Sequence, residues 1–303
     1  MKFNSIAAWF DTQKAVPGAG GREIDSTRVV PFVALHVACL AVFWVGVSPV
    51  AVAIAIASYL VRMFAITAFY HRYFAHRAFR ASRAVQFLFA LIGAAATQRG
   101  PLWWAAHHRR HHKTADRAGD PHTPRKGLVW SHMGWFLSRS HFATEWSQIP
   151  DLARFPELRW LDRFDIVVPV LYGLGLFMLG VVLERLAPGL GTNGWQMLVW
   201  GYFASTVVLI HVTLTINSLA HRFGTRRYAT RDRSRNNALL ALLTLGEGWH
   251  NNHHHFPAAA RQGFYWWEID ISYAVLKVLS WFGVVHDLRP LPAGMRESRR
   301  IPR

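Results

Sequence analysis

The chain has 303 residues, 52% of them hydrophobic and 14 of them Trp, and its 34 Lys and Arg against 17 Asp and Glu give a net charge of +17. Its apolar residues lie in long blocks and its basic residues, Arg62 apart, lie between them, which excludes an ordinary soluble domain and favours an anionic membrane surface over nucleic acid as partner. The single cysteine, Cys39, excludes internal disulfides, Cys-rich zinc sites and a self-carried Cys-ligated iron–sulfur cluster, so any metal must be held by histidine and oxygen ligands.

In chain order, residues 1–28 carry Asp11, Glu23 and Asp25 without an early apolar run, and read as a polar lead-in rather than a cleavable signal peptide. Two apolar stretches, 29–47 and 50–70, are each close to the ~20 residues that cross a bilayer and predict a transmembrane hairpin. Arg62 inside the second must pair, line a cavity or snorkel. Val85–Thr97 is too short to span and predicts a re-entrant or buried helix. Spans at 166–183 and 197–216 follow, and Tyr273–Val285 suits an interfacial helix. A single domain thus covers 29–288, followed by a basic, proline-punctuated tail over 289–303 that is expected to be disordered.

Charge sets the expected orientation. Lys2, Lys14, Arg22, Arg28, the basic stretch after His71 and everything from Arg222 fall on one side, whereas the opposite loops hold no Lys or Arg between Val45 and Leu60 or between Leu186 and Trp200. Both termini and all the histidine-rich segments are therefore expected on the cytoplasmic face. The fold class is an all-α integral membrane protein, four transmembrane helices with a cytoplasmic helical cap carrying a two-metal site.

The histidines carry the chemistry. HRYFAH supplies His71 and His76, HHRRHH supplies His108, His111 and His112, and GEGWHNNHHHFP supplies His250, His253 and His254. The second and third sets stand at i, i+3 and i+4, on one helical face. Eight imidazoles, nine with His221 of NSLAHRFG, exceed what one ion takes, so two ions with four or five ligands each are expected. Open positions on redox-active ions imply dioxygen chemistry on a lipid; closed zinc sites would imply only structure. Asp116, Asp120, Asp232, Glu247 and Glu268 lie near enough in sequence to orient ligand imidazoles. The isolated His36 and His211 read as structural, as do His107 and His255, which break the ligand register.

HRYFAH, HRRHHK with DPH, NSLAHRFG and GEGWHNNHHHFP together resemble the membrane fatty acid desaturases, the acyl-CoA Δ9-desaturase-like branch, over about Ala68 to Pro257. The resemblance implies two irons held by His71, His76, His108, His111, His112, His221, His250, His253 and His254, with Asn217 reaching metal through a water, and O2 as co-substrate. It implies a cis double bond placed in a saturated acyl chain, Δ9 of a C16 or C18 acyl thioester, with Gln98, Trp103, Trp104, Arg139, Leu214 and Trp249 as substrate contacts. Ala106-His107 and Ser140 replace an Arg-Asp pair and a lysine that seat the carrier in the animal acyl-CoA enzymes, which leaves CoA or a lipid as carrier. No haem-binding HPGG is present, so electrons are expected from a separate ferredoxin, rubredoxin or cytochrome b5 type donor. A lipid hydroxylase or ketolase on the same site is the alternative; a His-rich transporter would place its histidines within the spans.

Overall fold

The computed structural model describes residues 7, 9–14 and 23–302; Lys2 and Arg22 and most of the lead-in lie outside them. Four helices among the described residues are long and apolar enough to cross a membrane: Arg28–Val45, Pro49–Ala75, Val167–Leu186 and Gly194–His221. The first contains α1 (Ser26–Cys39). The second opens as α2 (Pro49–Phe64), where Ser48 caps the Ala51 N–H at 3.1 Å and Pro49 takes the first helical position. The predicted short apolar helix is α3 (Arg83–Ala94), capped by Ser82. It packs on the second span through Phe89 stacked on Phe69 at 3.9 Å and through Gly93, where a Cβ would lie 2.2 Å from the Tyr70 ring.

Then come α4 (Pro101–Thr114), α5 (Pro156–Arg163) and α6 (Val167–Leu186). The fourth span begins with α7 (Gly194–Leu198) and ends with α8 (Ser205–Ser218), joined by a π-helical stretch at Val199–Ala204. The end of the bundle that bears the histidines is closed by α9 (Ala238–Leu243), α10 (His250–His255) and α11 (Ile271–Trp281). A two-residue antiparallel ladder, Arg80–Ala81 with Val285–His286, ties the cap's last segment to its first.

Departure from α geometry is the main surprise. Ala65–Ala75, the end of the second span, is π-helical, and the His76 N–H donates to the His71 carbonyl five residues back. Five α-helical residues turn the chain so that the first and last point about 140° apart; i→i+5 bonding instead stacks them. The four-residue gap in HRYFAH thus becomes a single face.

Arg62 is buried without a carboxylate. Its guanidinium donates to the Ser58 and Ala95 carbonyls at 3.1 Å each, to Thr206 Oγ1 at 2.6 Å and to Ser205 Oγ at 2.5 Å. Inside a bilayer such donors must find protein acceptors, and the π turn helps because the Gly201 carbonyl accepts from both Ser58 and Ser205 hydroxyls. The tail also differs from the expected disorder. Tyr228 Oη donates to the Arg296 carbonyl, the Met295 carbonyl meets His255 Nε2 at 2.8 Å, and the Ile301 N–H donates to the Arg227 carbonyl. Buried tyrosine stacked on His255 gives the chain end an anchor that composition alone does not reveal.

Replacing Arg62 by Ala strands this set of acceptors, at a cost on the order of 3 kcal/mol. We expect R62A to melt several degrees below wild type in detergent and R185A, at the exposed far end of α6, to be unchanged; equal melting of R62A and wild type would refute the bracing role.

Candidate metal centre

Nine histidines from four separate segments meet in two groups. His71, His76, His108, His112 and His253 offer ligand nitrogens within 4.8 Å of one another, as do His111, His221, His250 and His254. The π turn brings His71 and His76 together, their rings 4.9 Å apart. Helix α4 splits its set, sending His108 and His112 to the first group and His111 to the second, and α10 does the same with His253 against His250 and His254. The groups share a wall, with His112 stacked on His254 at 4.4 Å.

The Nε2 atoms face one another. Separations are 3.0 Å for His71–His253, 2.9 Å for His76–His108 and His112–His253, 3.0 Å for His221–His250 and 3.4 Å for His111–His254. A common ion bonded at about 2.1 Å to nitrogens 90–109° apart subtends about 3.0–3.4 Å. The donor sets therefore fit a metal ion each, and imidazole suits iron, copper or zinc alike.

Behind the rings stand carboxylates. Nδ1 of His71 meets Glu247, that of His111 meets Asp120 at 2.9 Å, that of His221 meets Asp116 at 3.2 Å and that of His254 meets Asp232 at 2.9 Å. Each fixes the tautomer that leaves Nε2 bare for metal. Burial alone would raise these carboxyls, but their imidazole partners hold Asp116, Asp120, Asp232 and Glu247 below the usual carboxylate range. Burial, with neighbouring imidazoles second, pushes His76, His108, His112, His250 and His253 below the ordinary histidine value, so they stay neutral and able to ligate. Glu268 does otherwise than expected: it holds Arg227 and Asn252, not a cluster histidine.

Beside the centre runs a mostly apolar cavity of about 680 Å³, within the range of small-molecule sites. His108, Asn217, Gln98, Trp103, Trp104 and Leu214 line it, so four of the six expected substrate contacts and the expected water-bridged ligand are there. Arg139 and Trp249 do not line it: Arg139 pairs with Glu23 and Trp249 donates its indole N–H to the Ile269 carbonyl. His107 lines the cavity without joining a cluster, its Nδ1 on the Trp103 carbonyl. His36 and His211 are not isolated after all. His36 Nε2 meets His211 Nε2 at 2.8 Å and His211 Nδ1 meets His132 Nε2 at 3.0 Å, a chain apart from the metal groups.

Sequence reading missed Gln262, whose amide reaches Glu247 at 3.1 Å and lies 3.4 Å from both His71 Nδ1 and His253 Nδ1. No local pattern marks it. Gly248, in contrast, is legible afterwards: a Cβ there would fall 2.0 Å from the Ala241 nitrogen, so the third box can pack on α9 only with glycine at this position.

Comparison with known proteins agrees with this arrangement. Residues 27–278 match the family profile described as fatty acid desaturase. An sn-1 stearoyl-lipid 9-desaturase of Anabaena variabilis is 34% identical over 270 residues, 88% of this chain and 94% of its own. An acyl-CoA 5-desaturase of Anemone leveillei is 33% identical over 276 residues, 88% of this chain and 79% of its own. A hex-5-enoyl-(acyl-carrier protein) acetylenase of Moorena producens is 32% identical over 286 residues, 90% of this chain and 88% of its own. Histidine clusters, membrane-length helices and a family match over most of the sequence lead to one conclusion: the chain belongs to the fatty acid desaturase family, whose members are membrane oxidoreductases.

Proposed function

We propose that this protein is an O2-dependent acyl desaturase that places a cis double bond at Δ9 of a saturated C16 or C18 chain, with two irons held by its nine clustered histidines and Asn217 reaching metal through a water. The observation that carries this reading is the pair of all-imidazole clusters beside an apolar cavity that His108 of the first cluster lines. The stearoyl-lipid 9-desaturase relative supports the position, and the acyl-CoA relative leaves the carrier to a separate argument. Both termini and the histidine end are proposed to face the cytoplasm, on the charge distribution given above.

Balance fixes the inputs. A –CH2–CH2– unit, O2, two electrons and two protons become –CH=CH– and two waters. Iron supplies the oxidising power that unactivated C–H bonds demand and that no acid or base side chain has. The chain's own part is to keep nine imidazoles aimed, to hold the Nδ1 protons on carboxylates, and to keep the acyl chain out of water. The electrons are proposed to come from a separate acidic carrier. Asp151 supports an entry route, because it pairs with Arg77, next to His76, and with Arg109, next to His108, on a basic surface.

Expression in a desaturase-deficient host should yield cis monoenes with wild type and none with His253→Ala; hydroxy acids instead of monoenes would sink the reading. Purified wild type should hold two irons by elemental analysis. Asp232→Ala, which removes the carboxylate behind His254, should weaken metal binding about 10- to 100-fold and bring the iron content towards one.

The depressed histidines also set a pH dependence. In the unfolded chain they take up protons near the ordinary value of about 6.5, whereas in the folded chain they resist protonation. Their contribution to stability is thus complete above about pH 6.5 and lost as pH falls below it. Metal-free protein should melt at progressively lower temperature from pH 7 to pH 5; a flat profile would contradict the buried neutral state.

A further inference from the structure

Part of the wall of the acyl cavity is polar in a way the desaturation chemistry does not use. Among the residues lining it, Trp9 and Trp135 each bury an indole N–H without a hydrogen-bond partner, and Arg28 buries Nε and Nη2, and Arg99 Nη1, likewise. Indole and guanidinium nitrogens only donate. The arginine side chains are 15% and 12% exposed, and one carboxylate, Asp165, lies with them on the described wall, 2.6 Å from Arg99 Nε and 3.9 Å from Arg28 Nη1. Asp25 also acts through space on Arg28 and Asp162 on Arg99, yet the donor nitrogens named above keep no hydrogen-bond partner.

The two guanidiniums are fixed in place. Arg28 lies 3.7 Å above the Phe142 ring; Arg99 lies 4.8 Å from the same ring and 4.9 Å from that of Trp103. Trp103 stacks on Trp135 at 5.5 Å. Arg28 stands at the start of the first span, where a lipid's phosphate would lie, and Arg99 just before α4. Leaving desolvated charged donors unpaired is costly, so the arrangement calls for an anion with several acceptor oxygens. Below it the wall turns apolar, through Leu35, Leu174, Leu198 and Ile210.

We propose that Arg28 and Arg99, with Trp135 beside them, form a binding site for the phosphate of the acyl carrier, holding the head of the substrate while its chain lies in the cavity. The site thereby selects phosphate-bearing carriers over neutral glycolipids. This rests on the desaturase reading for its purpose, but not for its test, since binding needs no metal and no turnover. Phospholipid and the phosphopantetheine of CoA or acyl-carrier protein share this chemistry. Ala34, Val170 and Leu174 are at once cavity-lining and exposed between α1 and α6, a sideways opening that a bilayer lipid can use.

The test uses the metal-free full chain in uncharged detergent, titrated with hexadecyl phosphate and with hexadecanol and read by tryptophan fluorescence and thermal shift. Wild type should bind the phosphate at least about 10-fold more tightly, a single order of magnitude being what one charge-assisted contact is worth. Arg28→Gln with Arg99→Gln should abolish that preference and keep the hexadecanol affinity. Trp135→Phe, which removes one donor and leaves the arginines, should reduce the preference several-fold and guards against misfolding of the double variant. Lysophosphatidic acid and palmitoyl-CoA as further probes distinguish the sources, and tight binding of either supports the site. Equal binding of the two hexadecyl probes by wild type, retention of the preference in the double variant, or tighter binding of a monogalactosyl lipid than of both phosphate probes would overturn it.

Discussion

The histidine end of this protein depends on a line of carboxylates standing behind the imidazoles. Nine imidazole rings pressed against one another gain little from that contact alone. Glu247 shows how the arrangement is held. It accepts from His71 Nδ1 and from Nε and Nη2 of the fully buried Arg72, whose Nη1 donates to Asp270 and the Ala260 carbonyl. Asp270 in turn accepts from the Gln262 backbone and caps α11 at Tyr273. One histidine box, the third box and the last helix are thus fastened through a single ion-paired knot, and removing one member leaves the others charged, buried and unpaired.

Much of the site was legible because its parts obey helical periodicity. His108, His111 and His112 occur at a spacing that only a helix turns into a face, and so do His250, His253 and His254. The four spans were legible from length and apolarity, and the short helix before the second box from being too short to cross. What periodicity hid was its own failure. His71 and His76 fit no α face, and only hydrogen bonding five residues back reconciles them. A π segment has no composition of its own, so its presence had to be seen.

Long-range pairing was illegible for a different reason. Asp116 serves His221 over 105 residues and Arg62 serves Ser205 over 143, and nothing near either residue announces its partner. Proximity in sequence misled in the case of Glu268, which lies near the third box yet serves Arg227 and Asn252. Trp249 stands next to His250 but faces the Ile269 carbonyl, because one residue along a helix turns a side chain by about 100°.

That same turn explains why the third box alternates histidine with asparagine. Helix α10 has six residues, too few to persist alone. His250, His253 and His254 face the two metal groups, while Asn251 and Asn252 face away and do the fastening. Asn251 Oδ1 accepts from the Arg227 and Tyr228 backbones, and Asn252 donates to Glu268 and to the Gln262 carbonyl. Asn236 Oδ1 accepts from both asparagine N–H groups and so caps the helix from a distant loop. The imidazoles can be aimed within a hydrogen-bond length of one another only because the opposite side of the same turn is tied at five points. A helix so short is a scaffold for ligands when its outward residues carry amides that both donate and accept, and a carboxylate or an alkyl group in either place would supply half of that or none.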